Sequence, residues 1–112
     1  SKHVTHRDLK LENLLLTQTA PVELRIADFE TATKFHKTSV FHDNVGSVGY
    51  TSPQMIQQAY TWCCDNWSCG IICYAMFSDE LPFDSMSAWL TNEKVLQGSY
   101  EFSAALWKDV SP

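Results

Sequence analysis

The sequence has no apolar run long enough to cross a bilayer. Its most apolar stretch, Trp67 to Phe77, falls well short of the roughly 20 residues a spanning helix needs, and reads as a buried helix instead. It has no basic excess either. Eight Lys and Arg stand against 13 Asp and Glu, a formal net charge of −5. Nucleic-acid binders carry a basic face, so that partner class is set aside. An acidic balance is compatible with contact to basic peptides, but a mild one is more often just a solvated surface. There is no low-complexity tract and no internal repeat. The first residues are polar, and Arg7, Asp8 and Lys10 break any apolar run, so no leader peptide is expected. Metal-ligand spacing is missing too. The histidines (His3, His6, His36, His42) lie far from Cys63, Cys64, Cys69 and Cys73. Cys69 and Cys73, at i and i+4, share one helix face. The four thiols are expected to be buried in a reducing, intracellular and cytoplasmic protein.

What remains is a globular composition, 45% hydrophobic and 19% charged over 112 residues, enough for one small domain. Leu14-Leu15-Leu16 and the alternating run Val22, Leu24, Ile26 predict a β-hairpin with a long connection through Pro21. From Asp28 to Ser52 periodicity fades, and the segment reads as one long ordered loop. Pro53 opens a short helix over 54–59. Asp65 or Asn66 is expected to cap an apolar helix running to about Phe77. Ser85 or Ser87 caps another, ending near Gly98. The tail from Ala104 to Pro112 looks like the start of a further element. The fold class expected is α+β, mainly helical with a small hairpin.

The chemistry-bearing residues cluster early, in His6-Arg7-Asp8-Leu9-Lys10-Leu11-Glu12-Asn13. Each alone has an ordinary explanation. Asp8 could cap a turn, Lys10 could be solvated and Asn13 could close a loop. Four further stretches follow in order. They are Ile26-Ala27-Asp28-Phe29, the run Gly46 to Gln54, Asp65-Asn66-Trp67-Ser68-Cys69-Gly70, and Leu81-Pro82-Phe83 with Gly98 to Phe102 after it. The first stretch and the next three resemble, in order, the catalytic loop, the D-F-G element, the G-T-x-x-Y-x-A-P-E shelf and the D-x-W-S-x-G helix of eukaryotic protein kinases, and the last is a fifth match in the family's order.

That resemblance implies a protein-kinase-like large (C-terminal) lobe over residues 1–112, with ATP and Mg²⁺ as cofactors. It implies that Asp8 accepts the proton of a substrate hydroxyl, that Lys10 lies against the transferring phosphate, and that Asn13 and Asp28 hold magnesium. Leu15 and Ala27 would line the floor beneath adenine. Ser47 would bond Asp8 and Lys10, and Asp65 would receive backbone N–H groups of the catalytic loop. The residue types suit the reaction, which gathers charge on phosphate oxygens and needs a cation and hard-metal ligands around them. Lys10, two residues after Asp8, resembles the Ser/Thr class. The run Glu12 to Leu16 resembles the calmodulin-dependent and AMP-activated branch. There, Glu12 would pair with a basic residue near the target Ser or Thr of a protein substrate; it is equally well read as a surface acid.

Three positions depart from the family pattern. Glu30 replaces the glycine after Asp28-Phe29, at about 1 kcal/mol or more if the backbone there needs a positive φ. Gln54 replaces a Glu whose buried Arg partner would fall beyond Pro112, and such an Arg left unpaired costs roughly 3–5 kcal/mol. Asp43 stands in the register of the activating phosphothreonine, where its carboxylate would meet Arg7 in place of a phosphate. No Gly-x-Gly-x-x-Gly loop occurs in the 112 residues. The expectation is therefore a partial kinase domain, inert by itself. A kinase-like binding module without catalysis is the alternative.

Overall fold

The apolar run 14–16 and the alternating run that follows it do form a hairpin. In the computed structural model, which describes residues 3–111, β2 (Leu14–Leu16) pairs antiparallel with β3 (Leu24–Ile26), Leu15 opposite Arg25. Thr17 and Glu23 close the connection, the Glu23 amide donating to Thr17 Oγ1 at 2.8 Å. A second pairing lies outside the sequence reading. β1 (Val4–Thr5) pairs antiparallel with β4 (Thr33–Lys34) inside the segment expected to be one loop. Two residues are too few to carry an alternating pattern, so periodicity does not reveal them. The rung nevertheless folds the chain after Asp28 back against the chain before His6.

The first helix, α1 (Pro53–Ile56), is shorter than expected. Ser52 Oγ accepts from the Met55 amide at 3.2 Å, and proline fills the first turn. The helix stops early because Gln58 turns left-handed, at φ 56°. α2 (Cys64–Ser78) starts ahead of Asp65 and Asn66, with Cys63 at its N-cap. Asp65 therefore does not cap the helix; its oxygens are engaged by the loop at residues 5–7. α3 (Ala88–Gln97) is capped by Ser87, whose Oγ accepts from Leu90 at 3.2 Å. Gly98, at φ 64°, ends it with amide bonds from Gly98 and Ser99 back to the last turn. Residues 104–110 form turns only, and Pro112 lies outside the described residues.

α2 organises the interior. Cys64, Ser68, Ile71, Ile72, Ala75 and Ser78 are its buried face, at the three- and four-residue spacing of one helix side. Ile71 and Ile72 join Leu9, Tyr50, Phe83 and Val95 in one cluster, and Cys64 joins Met55 and Tyr60 in another. The expectation of four buried thiols fails. Only Cys64 is buried, and Cys63, Cys69 and Cys73 are exposed. The helical period carries Cys69 and Cys73 to the opposite side, beside the exposed Met76 and Phe77. Burial pushes the Cys64 thiol up to about 11. The architecture is α+β, with short strands, three helices and no described helix long and apolar enough to cross a membrane.

Candidate active site

Three backbone and side-chain donors converge on Asp65. The His6 amide reaches Oδ2 at 2.7 Å, the Arg7 amide reaches Oδ1 at 2.8 Å, and Thr5 Oγ1 donates to Oδ2 at 2.9 Å. Arg7 itself is left-handed, at φ 69°. Such a residue turns successive N–H groups to one side, a concavity that suits a carboxylate. The strain of that conformation is of order 1–3 kcal/mol, and charge-assisted bonds of this length offset it.

The loop's shape places its side chains. Ser47 Oγ donates to Asp8 Oδ1 at 2.7 Å, and Lys10 Nζ donates to Ser47 Oγ at 2.9 Å. Lys10 Nζ stands 3.6 Å from Asp8 Oδ2. The buried Asn13 donates through Nδ2 to the Asp8 carbonyl at 3.0 Å. Asn13 also accepts the Ala27 amide on its own carbonyl at 2.8 Å, which draws Asp28 alongside. Asp28 is exposed, and among the described residues its carboxylate meets only the Glu30 amide, at a long 3.5 Å. An amide oxygen and a near-free carboxylate are hard donors, and they fit Mg²⁺, which keeps waters and substrate phosphates for its other positions. Among the described residues no trio of His, Cys, Asp and Glu forms an all-protein cage.

His6 is buried at 5% exposure and connects the two halves of the site. Its Nε2 lies 3.0 Å from the Ala27 carbonyl, which can only accept, so Nε2 carries the proton. Nδ1 is then free to accept from the Asp8 amide at 3.3 Å. Its ring meets Phe29 edge-on at 4.9 Å. Sequence pattern gives no role to His6, although it opens the catalytic-loop motif, nor to Thr5 or Thr31. Thr31 clasps the loop from the other side, donating to the His6 carbonyl at 2.9 Å and accepting from Arg7 Nε at 2.7 Å.

Arg7 Nη1 meets Asp43 Oδ2 at 2.7 Å. The guanidinium also lies over the Phe41 ring, 5.4 Å from its centroid. From Asp43 the chain passes tightly over the catalytic loop. Gly46 is at φ 102°, and a Cβ there would stand 2.7 Å from Thr51 Cγ2 and 3.2 Å from the Arg7 carbonyl, so only glycine fits. Other sequence candidates sit further out. Glu12 is exposed in the 3₁₀ turn Leu11–Asn13, and after burial itself its charge helps to push the Tyr50 phenol up. Leu15 is half exposed on β2, Ala27 is half-buried and Gln54 is exposed on α1. The strain considered for Glu30 is absent. The positive φ in this element belongs to Asp28, at 61°, and Glu30 lies in a turn closed by the Ala32 amide on Phe29 O.

A family model of the protein kinase domain matches residues 1–112. The chain belongs to the protein kinase domain family. This kinase domain is 34% identical over 111 residues to calcium-dependent protein kinase 4 of Plasmodium berghei, covering 97% of the chain and 21% of that protein. It is 34% identical to the serine/threonine-protein kinase PEPKR2 of Arabidopsis thaliana, over 96% of the chain and 23% of that protein. Calcium/calmodulin-dependent protein kinase type II of Caenorhabditis briggsae is 32% identical, over 100% of the chain and 21% of that protein. The kinase domain thus spans about a fifth of the length of these curated relatives.

Proposed function

We propose that the whole protein carrying this kinase domain transfers the γ-phosphate of ATP to Ser or Thr hydroxyls of protein substrates. The observation that carries the reading is Ser47 Oγ bridging Asp8 and Lys10. A carboxylate, a hydroxyl and an ammonium in one chain form a cradle. Asp8 can accept a hydroxyl proton while Lys10 faces developing phosphate charge. Asn13 and Asp28 would hold Mg²⁺, which neutralises phosphate charge when bound. Leu15 and Ala27 belong to this reading as the apolar floor under adenine. Glu12 belongs to it as the acid that meets a basic residue of the substrate. On this reading residues 1–112 are the catalytic-loop and activation-segment part of the large lobe, and alone they are expected to transfer no phosphate above the level of an Asp8→Asn control. Three exposed thiols with no disulfide suit a reducing, cytoplasmic setting.

The test is magnesium-dependent transfer of labelled phosphate from ATP by the whole protein to Ser, Thr and Tyr peptides. Label on Ser or Thr peptides, absent when magnesium is chelated, is the expected result. Absence of transfer with ATP binding retained would favour a non-catalytic module, the reading that Gln54 at the shelf's end supports.

The Arg7–Asp43 pair extends the proposal to regulation. A fixed carboxylate holds the segment where a phosphate would otherwise be needed. Asp43→Ala is expected to lower transfer by roughly three- to tenfold, within the range of one charge-assisted bond that is partly exposed. Unchanged activity in that variant rules the pairing out as a functional contact.

A further inference from the structure

Tyr60 takes no part in the chemistry above, yet it is the largest fully buried side chain among the described residues, at 1% exposure. Its backbone exchanges two hydrogen bonds with Phe41, at 2.7 and 3.1 Å, an isolated antiparallel rung. Its ring tilts against Phe41 at 5.6 Å and packs with Met55 and Cys64, and Val45 borders the same cluster. A phenylalanine would satisfy all of this packing. The phenol oxygen does something else. It accepts from Arg7 Nη1 at 3.3 Å and donates to the Asp43 carbonyl at 3.1 Å. Burial pushes the phenol above its ordinary value, against the pull of Arg7, so its proton stays in place.

One oxygen thus touches both members of the ion pair, the cation on one side and the backbone of the anion's residue on the other. The ion pair alone is a weak fastening. The Asp43 side chain is 61% exposed, so water and salt screen it. The bond from a buried phenol to a backbone carbonyl carries no net charge and is not screened in that way. Beyond Asp43 the chain reaches Ser47 through Gly46, which lies against the Arg7 carbonyl.

We propose that Tyr60 is a positioning residue: its phenol fixes the segment from Asp43 to Ser47 over the catalytic loop, and so holds the Ser47 hydroxyl between Asp8 and Lys10. The kinetic part of this inference rests on the proposed function; the structural part does not. The experiment is Tyr60→Phe in the whole protein, which keeps the buried ring. Amide exchange at Phe41 and Tyr50, which flank the segment and donate to the Tyr60 and Ser47 carbonyls at 2.7 and 3.0 Å, is followed at about 0.01 M and about 1 M salt, where the screening length falls from about 30 to about 3 Å. The wild type is expected to keep its protection at both. In the variant, protection at high salt is expected to fall by about tenfold, the scale of one lost hydrogen bond, with exchange in α2 and the melting temperature unchanged. The peptide kcat falls with it, while KM for ATP holds. Equal protection in variant and wild type overturns the proposal. So does a loss spread evenly over the domain, which would mark packing alone. Absence of transfer in every protein, wild type included, defeats the proposed function and leaves the exchange result to decide Tyr60.

Discussion

Asp8→Asn is expected to lower kcat for peptide phosphorylation by roughly two to four orders of magnitude, the usual contribution of a positioned general base. The substitution keeps size and shape, so the fold has no reason to change. Its amide oxygen can still accept from Ser47 Oγ, now held at 2.7 Å. Two things are lost. An amide cannot take up a hydroxyl proton, and the charge that faces Lys10 Nζ at 3.6 Å is gone. If the new Nδ2 turns toward Lys10, two donors confront each other. KM for ATP is expected to stay close to the wild-type value, because no ATP contact is assigned to Asp8. Steady-state kinetics of the whole protein give both numbers. A fall of less than about threefold in kcat removes Asp8 from the role of base.

Asp65→Ala is the largest expected stability effect. Asp65 accepts three hydrogen bonds from the loop at residues 5–7, two of them from consecutive backbone amides, and each bond to a charged group contributes about 1.5–3 kcal/mol. These contributions do not add fully, and the loss is expected at about 3–5 kcal/mol. The mechanism goes beyond lost bonds. Without the carboxylate, the two amides that turn toward it lose their acceptor, and the strain of Arg7 at φ 69° is no longer offset there. Asp65→Asn retains an acceptor and should fall between the wild type and the alanine variant. Denaturant unfolding measures the loss, and exchange at the His6 and Arg7 amides locates it. A loss under about 1 kcal/mol with both amides still protected contradicts this account.

Much of the fold was legible where residue pattern and local conformation agree. The hairpin followed from Leu14–Leu16 and the alternation around Leu24, the end of α3 from Gly98 and its start from the pair Ser85 or Ser87, of which Ser87 caps, and the start of α1 from Ser52-Pro53. What was not legible depends on partners distant in sequence. Read locally, Asp65 is a helix cap; only the family resemblance set it under the catalytic-loop amides, where it lies. Its oxygens are engaged by amides 58 and 59 positions away, which no local pattern encodes. The β1–β4 rung is too short to show alternation. The cysteines were misjudged because thiols are usually buried, whereas helix phase puts Cys69 and Cys73 on the open side. At the site, the motif stretches named the residues that carry charge. The catalytic-loop motif contains His6 but gives it no role, and Thr31 and Tyr60 lie outside the motifs, because all three work through backbone carbonyls and through Arg7, and a hydrogen bond to a carbonyl leaves no trace in residue spacing.

The left-handed Arg7 turn has a consequence for how the molecule comes into being. Its carboxylate partner lies 58 positions later in the chain. At roughly 5–20 residues per second of synthesis, the loop emerges several seconds before the residue that shapes it. During that interval Arg7 has no compensation for its conformation, and Asp8 and Lys10 have no fixed relation to each other. The loop is therefore made before α2 but finished after it, and its arrangement comes into being only once α2 has folded behind it.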